Sequence, residues 1–325
     1  MHRRFKRWLA FCLAATLLAG ATSRALAASE GEPADVVAVR LLPGERLRLD
    51  GTLSHPAWQR APVFADFVEK MPELGGVPKH ATQVQVLFND EALYVGIRAL
   101  DPQPELIRAP LVRHDMVNRT QDFVGIYVDA IGNRQSAQFF RVNAAGSTGD
   151  GMQTASDDSE DFSPDFDFDA AAARNDLGYT AVFRIPFASL RFVGEGKPAW
   201  RFMVVRRVPR EQFYLYSSVL IPREAASFIA TLQALRGVEL PERHQFLSLR
   251  PSLTLRQSTD QPAGQPAQRQ RQLDASLDLK WRPRAEWVVD ATLRPDFSQV
   301  ALDVPQLAGN TRYALAFPEK RPFFF

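Results

Sequence analysis

The chain of 325 residues is nearly charge-balanced, with 39 lysines and arginines against 37 aspartates and glutamates and a formal net charge of +2 at pH 7. A basic excess this small, without a stripe of basic residues interleaved with aromatics, argues against nucleic acid as a partner. The 23 prolines and the many short apolar runs indicate an all-β protein. The length permits one large domain or two.

The first 27 residues have the three parts of a secretory signal peptide. Residues 3–7 are rich in arginine and lysine, residues 8–21 form an apolar run, and Ala25-Leu26-Ala27 offers the small residues that signal peptidase recognises. The apolar run is shorter than the ~20 residues of a membrane-spanning helix, which makes a membrane anchor the less favoured alternative. We therefore expect export and cleavage after Ala27. Cys12, the only cysteine, lies in this run, so the mature chain has no disulfide.

Residues 35–243 consist of short strand-like segments separated by turn residues, the pattern of a β-sandwich. Residues 82–88 and 93–99 predict a hairpin, because both favour strands and Asn89-Asp90-Glu91 between them favours a turn. The further predicted strands are residues 122–129, 138–143, 179–185 and 201–208.

From Phe246 the alternation of apolar and polar residues becomes longer and more regular. Residues 247–255, 273–281 and 287–293 each place apolar side chains on one face and mostly polar ones on the other. Runs of about ten such residues are typical of transmembrane β-strands. A soluble sheet with one buried face has the same period and is the alternative.

The connections between these runs favour one orientation in the membrane. Residues 257–271 form a long connection and residues 282–284 a tight one. Outer-membrane barrels have long outer loops and short periplasmic turns, which places the sandwich in the periplasm. The expected localisation is therefore the outer membrane, with the sandwich on its periplasmic side.

Several motifs of residues 50–187, in this order and spacing, resemble the family 9 carbohydrate-binding modules. They are Asp50–Ala61 (DGTLSHPAWQRA), Leu93–Val95 with Asp101, Arg113–Asp115 with Asp122 and Asp129, Phe140–Asn143 with Gly146 and Asp150, and Gly178–Tyr179 with Ile185–Phe187. Two positions depart from the pattern: Ser54-His55 stands where the first motif has a second acid, and Ala181-Val182 stands near another expected acid. The resemblance implies a sugar-binding sandwich.

Two later segments resemble an uncharacterised bacterial outer-membrane family. They are Arg294–Val300 (RPDFSQV) and Phe317–Phe325 (FPEKRPFFF). In that family a module similar to family 9 precedes a long predicted β-barrel. The resemblance implies that residues 246–325 are an incomplete barrel segment, truncated early, since single-chain barrels have at least ~8 strands. The implied partners are the outer membrane, barrel-assembly machinery, or other chains paired through open strand edges.

The predicted ligand-binding residues are Arg98, Arg113, Asp115 and Asn143. The resemblance places Arg98 near the ligand groove, and a guanidinium offers fixed donors to neighbouring sugar hydroxyls. The alternative for Arg98 and Arg113 is a surface position or a structural ion pair. Asn143 could bind a hydroxyl through both its donor and its acceptor, or hold the turn before Gly146.

Two aromatic residues are interpreted differently. Trp58 and Tyr94 could stack on a sugar ring, but their apolar neighbours favour positions in the core.

The densest acidic stretch, residues 157–169, predicts a calcium site at Asp157, Asp158 and Asp161. Carboxylate oxygens this close in sequence suit Ca²⁺, and the family 9 modules that the chain resembles are metal-bound. The stretch lacks the glycine-centred spacing of an EF-hand loop. A solvated acidic loop is therefore the alternative.

These observations favour a non-catalytic carbohydrate-binding module that serves glycan capture or uptake. No Gly-x-Ser-x-Gly, His-Glu-x-x-His or phosphate-loop motif occurs in the sequence. One alternative is a structural adaptor without a ligand, and another is an accessory domain associated with glycoside hydrolysis. A third alternative is a haem-binding electron-transfer module with ligands from His114, Met116 and Met152.

Overall fold

The computed structural model describes residues 34–192, 196, 198–240, 246–260, 268–284 and 287–294. The predicted signal peptide and the motifs that follow Arg294 lie outside the described residues.

Strands make up most of the described chain. They are β1 (Val36–Arg40), β2 (Val68–Met71), β3 (Thr82–Phe88), β4 (Ala92–Leu100), β5 (Phe123–Asp129), β6 (Ser136–Asn143), β7 (Thr148–Thr154), β8 (Glu160–Asp161), β9 (Asp169–Asn175), β10 (Gly178–Pro186), β11 (Arg201–Pro209), β12 (Phe213–Ser217), β13 (Gln233–Arg236), β14 (Phe246–Asp260), β15 (Gln268–Arg284) and β16 (Trp287–Leu293). Short 3-10 helices occur at Pro56–Arg60, Pro104–Leu106, Phe187–Ser189 and Ile229–Thr231. No helix in the described ranges has the length and apolar character needed to cross a bilayer.

The first thirteen strands form two sheets joined at one seam. Sheet I has the order β9-β10-β4-β3-β1, and sheet II has the order β8-β7-β6-β5-β11-β12-β2. Strand β13 pairs with β11 and, in parallel, with β1, and so connects the two sheets.

The core lies between the two sheets. Leu93, Val95 and Ile97 of β4 belong to the same buried cluster as Val124 and Ile126 of β5. Every second residue of these strands lies in this cluster, as strands with one face on a shared core require. The described chain from β1 to β13 is therefore a β-sandwich, and the predicted all-β fold is confirmed.

The predicted strands of the sandwich are present with small changes at their ends. β3 and β4 form the predicted hairpin, with Val84 opposite Ile97. In its turn, the Asn89 side chain accepts hydrogen bonds from the backbone N–H groups of Glu91 and Ala92. The local pattern thus predicted this hairpin down to its turn.

The outer face of sheet I is covered by the segment around Trp58. Trp58 is 2% exposed and lies in a cluster with Leu87 and Tyr94. Gly96 lets the ring approach the sheet, because a Cβ there would lie 2.8 Å from Trp58 Cζ3 and 2.3 Å from Leu53 Cδ2. The prediction that Trp58 and Tyr94 are core residues is confirmed.

One end of the inter-sheet core is polar. Arg206 of β11 points into the core, where its Nη1 donates to the carbonyl oxygens of Ala81 at 2.9 Å and Leu100 at 2.8 Å. Arg210 bridges Asp101 and Asp122 with ion pairs of 2.7 and 2.8 Å. Buried charges need such partners, because an unpaired charge in the core is costly.

His80 lies beside this charged group. It is buried, and its Nδ1 lies 2.8 Å from the Tyr216 hydroxyl. Burial, together with the positive charge of Arg206, lowers the pKa of His80 to about 4, although Asp101 acts in the opposite direction. His80 is therefore neutral near pH 7.

The last three strands form a separate antiparallel sheet, β14-β15-β16. β14 and β15 have 15 and 17 residues, more than the ten or so predicted. Pairing continues from Gln257 opposite Arg271 to Asp260 opposite Gln268, so much of the predicted long connection is strand. An established antiparallel register extends through polar residues, because the ladder uses backbone groups only.

The tight connection at residues 282–284 also differs from its prediction. β15 runs through Arg284, which pairs with Trp287, and the register shifts between Trp281 and Arg284. The β14–β16 sheet carries an exposed apolar face. Its members are Leu247, Leu249, Leu253, Leu255, Leu273, Leu277, Trp281, Val289 and Leu293.

Candidate functional site

A groove lies on the outer face of sheet II, the face that points away from the sandwich core. Its volume is 850 Å³, and its floor consists of side chains from β5, β6, β11 and β12. Residues from the segments 115–119, 158–162 and 221–228 form its walls, together with Lys70 of β2. Small-molecule sites are typically clefts of this size.

The strand that lies between β6 and β11 in the floor of the groove carries a glycine. Gly125 of β5 pairs with Arg141 of β6 on one side and Val205 of β11 on the other. A Cβ at this position would lie 3.2 Å from Val205 Cγ2, so a larger residue would fill the space above the sheet. Phe123 and Tyr127, two residues away along β5, share this face because side chains alternate along a strand.

Arg141 is fixed among aromatic rings. Its guanidinium carbon lies 4.7, 5.1 and 5.2 Å from the ring centroids of Phe139, Phe162 and Phe123. Cation–π contacts of this kind stabilise a cation that has lost much of its water. The side chain is thus held as a rigid part of the floor.

Glu160 and Tyr127 complete the surroundings of Arg141. Arg141 Nη2 donates to the Glu160 carboxylate and, at 3.2 Å, to the Tyr127 hydroxyl, which itself donates to Glu160. Burial is the main cause that raises the pKa of Tyr127 well above its usual range. The tyrosine therefore stays protonated, and the charge of Glu160 is neutralised within the protein.

Arg207 reaches the same floor without such a partner. No described residue forms a hydrogen bond or ion pair with its guanidinium, and its Nη1 is shielded from solvent. Burial lowers the pKa of Arg207, and the positive charges of Arg119 and Arg141 lower it further. The floor therefore carries a guanidinium whose donors the described part of the protein leaves unused.

Two half-buried phenylalanine rings add flat apolar surface to the groove. The Phe228 ring centroid lies 4.8 Å from that of Tyr127 with an interplanar angle of 61°. The Phe162 centroid lies 5.0 Å from that of Phe139 at 73°. Faces of this kind suit the C–H groups of a sugar ring, since they combine large area with a negative π-surface.

Of the four predicted ligand residues, Asp115 is the one that lines this groove. Its Oδ1 accepts a hydrogen bond from the Asp150 backbone N–H at 3.1 Å, and its φ of 64° lies in the left-handed region. Arg113, two residues earlier, is exposed and is not among the lining residues.

Arg98 and Asn143 lie elsewhere. Arg98 lies on β4 in sheet I, half-buried, where its Nη1 donates to Gln85 Oε1. Asn143 is fully buried, with its Nδ2 donating to Pro110 O and its Oδ1 accepting from the Ser147 N–H. The structure thus gives Asn143 the turn-holding contacts that the sequence left as an alternative.

The three predicted calcium ligands point to separate partners. Asp157 accepts from the Thr154 hydroxyl at 2.6 Å, and Asp158 Oδ1 accepts from the Phe228 N–H at 2.8 Å. Asp161 Oδ1 accepts from the backbone N–H two residues later. The structure does not bring the three carboxylates to one point, and calcium binding by this segment stays a prediction.

A different cluster surrounds His114. Its Nε2 lies 2.7 Å from Asp150 Oδ1, 3.4 Å from Asp115 Oδ1 and 3.9 Å from Asp165 Oδ1. The hydrogen bond with Asp150 is the main cause that raises the pKa of His114, and burial raises the pKa of Asp165. The His114 Nδ1 lies 3.0 Å from Thr148 Oγ1, so both ring nitrogens have partners that a haem iron would have to displace.

Most groove residues are absent from the sequence predictions. The missed residues include Tyr127, Glu160, Phe228, Arg141 and Arg207. Arg141 and Arg207 are charged residues in strands rich in apolar residues, a pattern that can indicate a polar site on the outer face of a sheet. The pairing of β5 with β11, which unites them, joins distant parts of the chain and has no local signal.

Comparisons with known proteins divide the chain into two parts. A family model described as "Domain of unknown function (DUF5916)" matches residues 246–325. That range contains the two segments that resemble the outer-membrane family. A comparison with the sequences of curated proteins gives no match.

Three solved structures are similar to part of the chain. A carbohydrate binding module family 9 from Caldicellulosiruptor kristjanssonii in complex with cellotriose has 14% identity and a TM-score of 0.47, covering 63% of this chain and 95% of that one. The same organism's module in complex with glucose has 14% identity, a TM-score of 0.47 and coverage of 64% and 98%. A putative carbohydrate-binding protein from Bacteroides uniformis has 13% identity, a TM-score of 0.44 and coverage of 54% and 86%.

Proposed function

We propose that the chain is a non-catalytic module that binds a mono- or oligosaccharide in the groove of sheet II. One observation carries the proposal. Two half-buried aromatic rings, Phe162 and Phe228, line the same groove as Arg207, whose guanidinium has no partner among the described residues. Sugars present apolar C–H faces and hydroxyl rims, and this groove offers a surface for the first and donors for the second.

The groove favours binding over hydrolysis. A glycosidase needs two carboxylates free to act on the substrate. Of the acids that line the groove, Glu160 is paired with Arg141, and Asp158 accepts hydrogen bonds from Gln153 and from the Phe228 N–H. The adaptor alternative, which has no ligand, predicts that no sugar binds to the chain.

The same proposal places the module on the periplasmic side of the outer membrane. The exposed leucines of β14 and β15, such as Leu253 and Leu273, support contact with lipid. They alternate with polar residues, as expected for strands whose two faces have different surroundings. A module held there would capture glycans near the membrane for uptake.

Binding is tested with the purified full chain on a glycan array, followed by titration of each bound sugar. Phe228→Ala should weaken binding roughly tenfold, since a lost aromatic contact is worth about 1 kcal/mol or more. Phe213→Ala is the matched control, because Phe213 is exposed and lies outside the groove. Arg98→Ala and Arg113→Ala test the site predicted from the sequence. If these weaken binding while Phe228→Ala does not, the groove is not the site.

A further inference from the structure

The charges that line the groove are unbalanced. Its basic residues are Lys70, Arg119, Arg141, Arg207 and Arg223, and its acidic residues are Asp115, Asp158 and Glu160. A groove lined by one sign of charge concentrates ligands of the opposite sign. The imbalance therefore points to the chemistry of the ligand.

The acids are already engaged inside the protein, so the groups that remain for a ligand are mostly cationic. Glu160 pairs with Arg141, Asp158 accepts from the Phe228 N–H, and Asp115 accepts from the Asp150 N–H. The basic side chains are less engaged. No described residue pairs with Arg119, Arg207 or Arg223.

Arg207 is the central group in this argument. It lies on the floor between Phe123 of β5 and Leu215 of β12, half-buried and near the like charges of Arg119 and Arg141. A guanidinium in this position has lost hydration without gaining an anion of its own, because Glu160, whose charge acts on it, is paired with Arg141. A carboxylate or sulfate on the ligand would supply one through a charge-assisted hydrogen bond, which is stronger than a bond between neutral groups.

We infer that the groove selects acidic saccharides, whose rings stack on Phe228 or Phe162 and whose carboxylate or sulfate pairs with Arg207. The inference rests on the proposed sugar-binding function and adds the class of sugar. Neutral sugars would satisfy the aromatic surface and leave the Arg207 charge unpaired.

The experiment compares trigalacturonate with its fully methyl-esterified form by titration of the full chain. The two probes have nearly the same shape, and the ester lacks the charge. The acid should bind at least about tenfold more tightly, and the difference should shrink as salt is added, since ions screen exposed charges. A sulfated trisaccharide and its desulfated form distinguish sulfate from carboxylate as the preferred group.

Arg207→Gln should abolish the preference for the acid over the ester and leave the melting temperature unchanged or higher, because it removes an unpaired, half-buried charge. Arg207→Lys keeps the charge and should retain part of the preference. Arg201→Gln is the control, since Arg201 lies on the same face of the same strand outside the groove.

Two outcomes would contradict these claims in different ways. If acid and ester bind equally, or the ester binds better, the sugar-binding function stands and the acidic preference is wrong. If no acidic or neutral saccharide binds, both the proposed function and the inference built on it are wrong.

Discussion

Single residues show how the same residue type takes opposite roles in this sandwich. Arg206 faces the core and is bound by carbonyl oxygens, whereas Arg207, next along β11, faces the groove and has no described partner. Because side chains alternate along a strand, one step in sequence separates a structural arginine from a candidate ligand contact.

Trp58 illustrates the same separation between core and site. Trp58→Ala should cost about 3–5 kcal/mol in the free energy of unfolding, because it leaves a large cavity. The ring lies on the outer face of sheet I, away from the groove of sheet II, so sugar affinity of the folded fraction should not change. Urea unfolding and titration under native conditions measure the two effects. A variant that folds normally and no longer binds would show that Trp58 belongs to the site.

Protonation of His80 makes the free energy of unfolding depend on pH. Its pKa is lowered to about 4 in the folded protein, against about 6.5 in the unfolded chain, so the unfolded state binds the proton more readily. The stability contributed by neutral His80 is therefore present above pH ~6.5 and is lost as the pH falls toward 4. The loss is on the order of 2–3 kcal/mol.

Chemical unfolding of wild type and His80→Gln at pH values from 4 to 7.5 measures this effect. Stability of the wild type should fall more steeply below pH 6.5 than that of the variant. Parallel curves would assign the acid sensitivity to groups other than His80.

At the scale of elements, the sequence predicted strands well and their neighbours poorly. The hairpin of β3 and β4 follows from local alternation and from Asn89, which binds its own turn. The groove depends on β6, β5 and β11 lying side by side, and backbone pairing between distant segments leaves no mark in a single sequence. The sequence analysis therefore predicted Asp115, which lines the groove, as a ligand residue, and it missed Arg141 and Arg207.

The exposed face of the β14–β16 sheet gives a prediction about membrane association. Leu253 and Leu255 are 70% and 72% exposed. Replacing both with serine should reduce flotation of the chain with liposomes, because it removes apolar surface that lipid would cover. Ser252→Ala, on the other face of β14, is the control and should have no such effect. Unchanged flotation of the double variant would contradict lipid contact through this face.

The whole molecule combines two kinds of sheet. Residues 36–240 form a sandwich whose core lies between its layers, and residues 246–294 contribute strands with one exposed apolar face. The sequence predicted a change near Phe246 from short strands with frequent turns to long regular alternation, and the second sheet begins there. It predicted the strand lengths less well, since polar residues such as Gln257 can continue a ladder as readily as end it.

Export is the prediction that belongs to the whole chain. Mature protein recovered from the cell envelope should begin near Ala28, because Ala25-Leu26-Ala27 follows the apolar run. Intact-mass measurement of the envelope protein checks the site. Ala27→Leu should block cleavage and leave a heavier species. Recovery of exported wild type that still carries residues 1–27 would contradict the signal-peptide prediction.

Strand β1 determines the order in which the sandwich can assemble. It lies between β3 and β13 and pairs in parallel with both, although residues 82–88 and 233–236 are far apart in the chain. A chain that emerges N-terminus first can pair β1 with β3 early, but the seam closes only after Arg236 has emerged. Until then one edge of β1 is open to other strands. We therefore expect folding to be slow and late, and a growing chain needs protection from aggregation until almost the whole sandwich has emerged.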